Sequence, residues 1–458
     1  MLITILAGAF ILSIVIVVHE FGHFIVAKKA GVFVKTFSVG FGRKIVKKRF
    51  GETVYALSLL PFGGYVKFAG ESEEVVAPKE APQGDSSDEI PDSEIDPSRY
   101  FINKRPLVRS AVVFAGPFAN YVLAIVVYIA MFAVHGTQTI PHTIIGEVEA
   151  GSAADSIGLM TSDRVVAVDG ERVANWGELV DTILEDTESS RAFTVERGSQ
   201  VLELAYNPRL EDGAVRLGFS PHISATIGQV KRDAPAYQAG MRTGDVIATI
   251  NDTLIDSYLD IERIIHANPK VPLVIEWTKE NVQHVDTITP QARKVLKDGS
   301  KTEFKIVGQI GIGPNYARER VPLHRATVMA VRSSTGMVVE IVSFLKLLVT
   351  GKAGVDAVGG PILITQMAGD MARWGFNYLL YFLAFFSINL CIFNLLPMLP
   401  FDGGHLTLFA YEGVTRRRVN RRVREILTQA GFILLILLMA FVVLIDVSRC
   451  TGSSPGLF

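Results

Sequence analysis

Seven consecutive residues, Val18-His19-Glu20-Phe21-Gly22-His23-Phe24, could do chemistry as a unit. On a helix His19 and His23 stand one turn apart on the same face, where two imidazole nitrogens can grip one metal ion with Glu20 beside them. The spacing is the H-E-x-x-H pattern and points to zinc: neutral imidazoles as ligands, a further ligand from elsewhere, and an open position for water. The Glu would take a proton from that water as it attacks a carbonyl. A chance match is the bland alternative, and the surroundings argue against it. The motif lies inside a long apolar run, and ionisable residues within a membrane span are costly enough to be functional by default.

A third ligand has to come from another part of the chain. Near the end of the third apolar run stand Asn389, Asn394, Pro397, Pro400 and Asp402-Gly403-Gly404. Prolines at membrane depth break a helix, and a broken helix is tolerated only where protein or a water-filled cavity surrounds it. There a buried Asp can supply an oxygen ligand. Asp402 is the favoured donor and His405 its rival, because an acid, a His pair and water make a sound zinc set. His135, His142, His222, His266, His284 and His324 fall outside the apolar runs or near their ends, where ordinary hydrogen-bonding roles suffice.

Four apolar runs must position these groups. The chain has 458 residues, 49% of them hydrophobic, with a mean hydropathy of +0.33, more apolar than ordinary soluble proteins. Runs long enough to cross a bilayer cover residues 2–26, 110–134, 376–396 and 426–445. With 45 Lys and Arg against 46 Asp and Glu, the balance suggests no nucleic-acid partner. The basic residues are nonetheless clustered. Lys28, Lys29, Lys35, Arg43, Lys44, Lys47, Lys48 and Arg49 follow the first run, and Arg416, Arg417, Arg418, Arg421, Arg422 and Arg424 separate the last two. The positive-inside rule places both clusters in the cytoplasm, and therefore both termini and the long segment between the second and third spans outside. His19, His23 and Asp402 then arrive at the same depth, toward the cytoplasmic face. The first run has basic residues after it and none before, so no cleaved signal peptide is expected. Cys391 and Cys450 offer no structural disulfide.

Between the spans the chain reads as follows. Residues 32–41 and 53–68 carry strand and hairpin signals, punctuated by Gly40-Phe41-Gly42 and Pro61-Phe62-Gly63-Gly64, and complete a first unit of residues 1–70. Gly40, Phe41 and Gly42 suit either an open strand edge that pairs with an unwound substrate or a small supporting sheet. Residues 71–104 are expected to be a mobile cytoplasmic loop, acidic and rich in Pro and Ser over 71–97. In the second span, 105–135, Gly116-Pro117 and Asn120 interrupt a plain apolar helix, for tight packing or to hold site geometry.

Residues 143–315 hold a tandem repeat. Ile145-Gly146-Glu147-Val148 matches Ile227-Gly228-Gln229-Val230, and Asp163-Arg164-Val165-Val166 matches Asp245-Val246-Ile247-Ala248. Each copy runs through a turn into a helical stretch near Trp176 or Tyr258, and both later offer a Gly-flanked strand. The copies, 143–222 and 223–315, resemble a pair of PDZ domains in the circularly permuted bacterial order. The second carries the fuller signature at 239–247, while Ser162 stands in the first where Gly244 stands in the second. Such a pair could receive chain ends by strand addition or act as a bulky filter, and the filter is favoured. Residues 316–375 read as an interfacial amphipathic helix and a loop: 326–348 look helical, but Arg332, Glu340 and Lys346 suit the membrane surface, and a loop with Gly359-Gly360-Pro361 follows. The third span and its broken end cover 376–404, a basic loop and the fourth span 405–447, and 448–458 reads as a disordered tail or an expression scar.

Together, His19-Glu20-Phe21-Gly22-His23, the PDZ-like insert and the run from Asn394 through Pro397 and Pro400 to Asp402-Gly403-Gly404 resemble the site-2 protease family over essentially the whole chain to about residue 445. The resemblance implies a multi-domain membrane protein: four transmembrane α-helices, a small membrane-associated β-sheet and two inserted periplasmic PDZ domains of α+β type. It implies Zn2+ on His19, His23 and Asp402, Glu20 as general base, Asn389 and Asn394 as substrate contacts, and a membrane-reentrant β-loop at Gly40, Phe41 and Gly42. The implied reaction is hydrolysis within the transmembrane helix of single-span membrane proteins, such as a pre-trimmed anti-sigma factor or a signal-peptide remnant, in the lipid bilayer of the bacterial inner membrane. Two other classes compete. One is a non-catalytic membrane scaffold whose PDZ pair recruits partners; the other is an outer-face serine protease, for which the exposed segment shows no Gly-x-Ser-x-Gly setting.

Overall fold

In the computed structural model, residues 2–70, 90–187, 189–211, 214–296, 304–351 and 359–450 are described. The chain divides into two compact units, one formed by the two ends of the chain and the other by 134–321.

The first unit is helical. Its helices are α1 (Leu2–Lys29), α2 (Pro106–His135), α3 (Leu323–Val349), α4 (Pro361–Trp374), α5 (Phe376–Asn394), α6 (Asp402–Thr415) and α7 (Arg421–Cys450). Five helices among the described residues are long and apolar enough to cross a membrane: α1, α2, α3, α5 and the 422–447 stretch of α7. That is one more than hydropathy reading of the sequence admits. The addition is α3, whose length and apolarity qualify it although Arg332, Glu340 and Lys346 are all exposed.

Small residues bring α1 against α4. Gly8 lies against Thr365 and Gly369 against Thr4, and Arg373 donates to the Thr4 hydroxyl at 3.0 Å. Ala7, Ile11, Val15, Ala368, Leu379 and Leu383 fill the seam. Helix α4 was not legible in the sequence, where a loop is expected, although Pro361 occupies a favourable first-turn position. Its N-terminus is capped from α7: the buried Asp446 carboxylate accepts from the backbone N–H groups of Gly360, Ile362 and Leu363 at 3.1–3.2 Å. Three donors that the helix cannot satisfy itself are thereby paired inside an apolar environment.

Two long strands, β1 (Val34–Phe50) and β2 (Thr53–Phe68), follow α1. Both bend, so that Thr36 faces Lys67 on one side and Val54 on the other, and the hairpin makes a sheet of four segments in the order 64–68, 34–39, 54–57, 46–49. The bends fall at Gly40 and Gly42, both at positive φ, and opposite them near Gly63. β1 extends through 44–50 because the backbone of this basic stretch pairs with the first half of β2, beyond the apolar alternation that signals a strand.

The expected mobile loop 71–104 is ordered in its last third. Residues 71–89 lie outside the described set, but 92–103 form three short 3-10 turns. Ile95 is buried with Phe33 and Ala69, and Phe101 stacks on Phe68 at 5.1 Å. Lys35 pairs with Asp92 at 2.9 Å, while Glu52 receives both Arg99 and Lys28, at 2.8 and 2.6 Å. Burial raises the Glu52 pKa, but the Arg99 and Lys28 contacts outweigh it and hold the carboxyl below its usual range. In the tail, α7 continues to Cys450 and only 451–458 lie outside the described residues.

A buried ion pair ties α2 to α6. Arg109 meets Glu412 at 2.5 Å, with side chains 6% and 12% exposed, and its guanidinium lies 4.6 Å over the Phe409 ring. Removing one partner strands the other, so Glu412→Gln is expected to cost about 3–5 kcal/mol, read as a lower unfolding midpoint in detergent. Replacing both residues by Met should recover most of that loss. A single variant as stable as the double one would contradict the pair's burial.

The second unit contains two bodies of the same design. In the first, the sheet order is Glu171–Arg172, Arg164–Val168, Arg191–Arg197, Gln200–Tyr206; in the second it is Thr253–Leu254, Val246–Ile250, Leu273–Lys279, Val282–Ile288. A short pair closes each, Ile145–Val148 with Phe219–Pro221 and Ile227–Val230 with Ile312–Pro314. Core residues correspond: Val165, Val168, Leu179 and Ile183 in one, Ile247, Ile250, Ile261 and Ile265 in the other. The helices Trp176–Glu185 and Tyr258–Ala267 begin where the repeat predicts, capped by Asn175 and Ser257. Ser162 sits at φ 70° and Gly244 at φ 95°, so the serine holds the left-handed turn that the glycine adopts without penalty.

Candidate active site

Helix α1 stays regular through its motif and buries His19, while His23 and Glu20 are half-buried. Helix α2 runs against it closely because both helices lack side chains at the crossing. A methyl group on Gly22 would strike the Ala115 carbonyl and Ala119, and one on Gly116 would overlap the His23 imidazole and press on His19. The third participant arrives by a chain reversal. Helix α5 ends at Asn394, the chain turns through Pro397 and Pro400, and α6 begins at Asp402. Gly403 and Gly404 let the first turn of α6 lie on the carbonyls of Leu395 and Leu396 and on the backbone at Met398 and Leu399, where any side chain would collide.

His19 Nε2 stands 3.1 Å from His23 Nε2 and 3.1 Å from Asp402 Oδ2, and His23 Nε2 is 3.5 Å from the same oxygen. Among the described residues these three side chains form the one cluster of potential metal donors. Their spacing fits the ion: ligands about 2.0–2.1 Å from a tetrahedral zinc stand about 3.3 Å from one another. Their protonation fits as well. His23 Nδ1 donates to the Val112 carbonyl at 2.9 Å, which leaves the Nε2 lone pair free, and Asp402 Oδ2 is buried without a hydrogen-bond donor. Two acceptor atoms, His23 Nε2 and Asp402 Oδ2, are thus crowded beside His19 Nε2, an arrangement that a cation relieves once His19 also presents a lone pair.

Glu20 lies beside the cluster within electrostatic reach of His19, His23 and Asp402, with the backbone of Val66 on β2 close by. Its Cγ also lies close to Gly64, where an added methyl would come within 3.2 Å. The sheet segment next to Glu20 is therefore 64–68. The glycine corner singled out in the sequence, Gly40-Phe41-Gly42, forms the bend of β1, with Phe41 opposite Leu60. His405, one turn along α6 from Asp402, instead has its ring 6.4 Å from that of Phe409 and is not in the donor cluster. Asn389 bonds the Phe385 carbonyl of its own helix at 2.9 Å, and Asn394 is half-buried at the end of α5.

Sequence reasoning assigns Gly116 to tight packing or site geometry, and the structure shows the close packing, but it gives Val112 and Gly64 no part in the site. Val112 acts through its backbone, to which its side-chain identity gives no clue. Gly64 and Gly116 act by occupying no space, and their neighbours in the fold are remote in the chain.

Comparisons with known proteins agree with this arrangement. The model of Peptidase family M50 matches residues 7–438. Protease RseP of Yersinia pestis is 32% identical, aligned over 96% of this chain and 97% of that protein. Regulator of sigma-E protease RseP of Escherichia coli gives the same three figures, as does a relative from Vibrio cholerae whose name classes it with the zinc metalloproteases. A solved PDZ domain of the SdrC-like protein from Listeria monocytogenes covers 21% of this chain and 90% of its own, at 21% identity and a TM-score of 0.17, a likeness too slight to build on.

Proposed function

This chain belongs to peptidase family M50 and is a site-2-type zinc metalloprotease, and from that premise we propose that His19, His23 and Asp402 hold its zinc while Glu20 acts as general base. The single observation that carries the assignment is the convergence of His19 Nε2, His23 Nε2 and Asp402 Oδ2 at ligand spacing, from helices almost four hundred residues apart in the chain. A zinc ion bound there supplies Lewis-acid chemistry, polarising a peptide carbonyl and acidifying water. Glu20 takes the proton released as water attacks the scissile carbon and passes it to the departing amine. Asp402 and the two imidazoles stay fixed through the step, held by the α6 first turn and by α2.

The substrate class is a transmembrane segment of a single-span membrane protein, of the anti-sigma-factor or signal-peptide type. Support comes from the apolar helices that carry the site and from relatives named as regulators of sigma-E. A helical substrate hides its carbonyls in i to i+4 bonds and must unwind before attack, which frees backbone groups that have to be paired again inside the bilayer. The bent hairpin at Gly40, Phe41 and Gly42 and its segment 64–68 offer strand backbone for that purpose next to Glu20. Asn389 and Asn394, on the helix that leads into Asp402, supply side-chain amides for the same need. The two repeated bodies of 143–315 are PDZ domains that work as a size filter, excluding substrates whose outer portion has not been trimmed. The protein resides in the inner membrane on four spans, α1, α2, α5 and α7, with α3 and its exposed Arg332, Glu340 and Lys346 at the outer surface, its PDZ pair and termini periplasmic and its site toward the cytoplasm.

The ligand set is tested by metal analysis of the purified full chain. Asp402→Asn is expected to lose zinc by at least about tenfold in affinity and to lose cleavage with it, whereas His405→Asn should keep zinc at the parental level. Loss of zinc in His405→Asn with retention in Asp402→Asn would reverse the assignment.

A further inference from the structure

Two imidazoles can share an ion only if each keeps its Nε2 lone pair free, which requires the ring proton to sit on Nδ1 and to find an acceptor there. For His23 that acceptor is the Val112 carbonyl, 2.9 Å from Nδ1. A carbonyl has no proton to offer, so the tautomer is settled. For His19 the group facing Nδ1 is the side-chain amide of Asn120, 3.4 Å away. Asn120 is fully buried on α2, and its Oδ1 has no hydrogen-bond partner among the described residues.

Which end of the amide faces His19 decides what His19 can do. With Nδ2 toward the ring, Nδ1 must accept, and the ring proton moves to Nε2. There it points among His23 Nε2 and Asp402 Oδ2, both 3.1 Å away, and blocks ligation. With Oδ1 toward the ring, Nδ1–H donates and Nε2 is free. The two ends have nearly the same shape, so hydrogen bonding rather than outline assigns them. We infer that Asn120 presents Oδ1 to His19 Nδ1–H and is the positioning residue that fixes the metal-binding tautomer of His19.

The placement on α2 supports the role. Val112, Gly116 and Asn120 are four residues apart and share one face of the helix. Val112 holds His23, Gly116 makes room for both rings, and Asn120 meets His19. The backbone of Asn120 is itself anchored from α5, where Ser387 Oγ donates to the Asn120 carbonyl at 2.8 Å. One face of α2 thus orients both rings of α1.

The inference rests on the reading of His19 and His23 as metal ligands, and its test separates the two. Zinc affinity is measured on the purified full chain by competition with a chromogenic chelator, for the parent, Asn120→Leu, Asn120→Asp and His23→Ala. The leucine is close in volume and cannot accept, so affinity should fall about 10–100-fold. The aspartate can accept, and affinity should stay within about threefold of the parent or rise. Parental affinity in Asn120→Leu, or an equal loss in Asn120→Asp, overturns the positioning role. A parent that binds zinc no better than His23→Ala overturns the ligand reading instead. Asn120→Ala, which leaves a gap rather than a bulge, gives the same comparison if the leucine variant does not fold.

Discussion

Glu20→Gln is expected to lower cleavage of a reconstituted single-span substrate by about 10²–10⁴-fold while the protein keeps its zinc. The substitution preserves size and removes the ability to take a proton. The carboxylate is not among the three converging donors, so metal content should stay at one ion per chain. Glutamine keeps the same side-chain stem against Gly64, and β2 should remain docked. Zinc content and cleavage measured on the same preparation therefore dissociate. If zinc is lost along with cleavage, Glu20 is a ligand rather than a base. If cleavage persists, the proton acceptor lies elsewhere in the site.

That dissociation also bears on what could be read before the fold was seen. The motif His19-Glu20-Phe21-Gly22-His23 is legible because its chemistry is local: a helix of 3.6 residues per turn brings the two rings together whatever surrounds them. Asp402 is legible for a different reason, since prolines and an acid at membrane depth have few purposes. The tandem repeat is legible because each body keeps its own core, down to matching pairs such as Leu179 and Ile261. The second span's contribution could not be read in the same way. Gly116 and Asn120 stand out as interruptions of an apolar helix, but what they touch depends on the register of α2 against α1, which no local pattern encodes.

The helices α4 and α6 fail to show for related reasons. Each is 14 residues long, too short to register as a span. The start of α4 is satisfied by Asp446 and that of α6 lies on the end of α5, so the signals that end and begin these helices are tertiary. The hairpin is half-legible. Its glycines mark the bends, but the edge that reaches Glu20 is identified only by the fold, through Gly64 and Val66.

The close approach of α1 and α2 makes Gly116→Ala the most telling packing variant. In an ordinary helix this exchange stabilises, because alanine is the better helix former by about 1 kcal/mol. At Gly116 the added methyl falls on the His23 ring and against His19, and neither ring can retreat without leaving its Val112 or Asn120 partner. Overpacking of this kind costs about 1–3 kcal/mol, so the net effect should be a lower unfolding midpoint despite the better helix former. The rings should also be pushed off ligand spacing, with zinc affinity falling at least about tenfold and cleavage falling with it. Gly413→Ala on α6 is the matched control, since nothing lies within 4 Å of its added methyl. It should raise the midpoint slightly and leave zinc and cleavage unchanged. Were Gly116→Ala to behave like Gly413→Ala, the imidazoles could not stand against α2 as described, and the convergence with Asp402 would have to be reached by another packing of the helices.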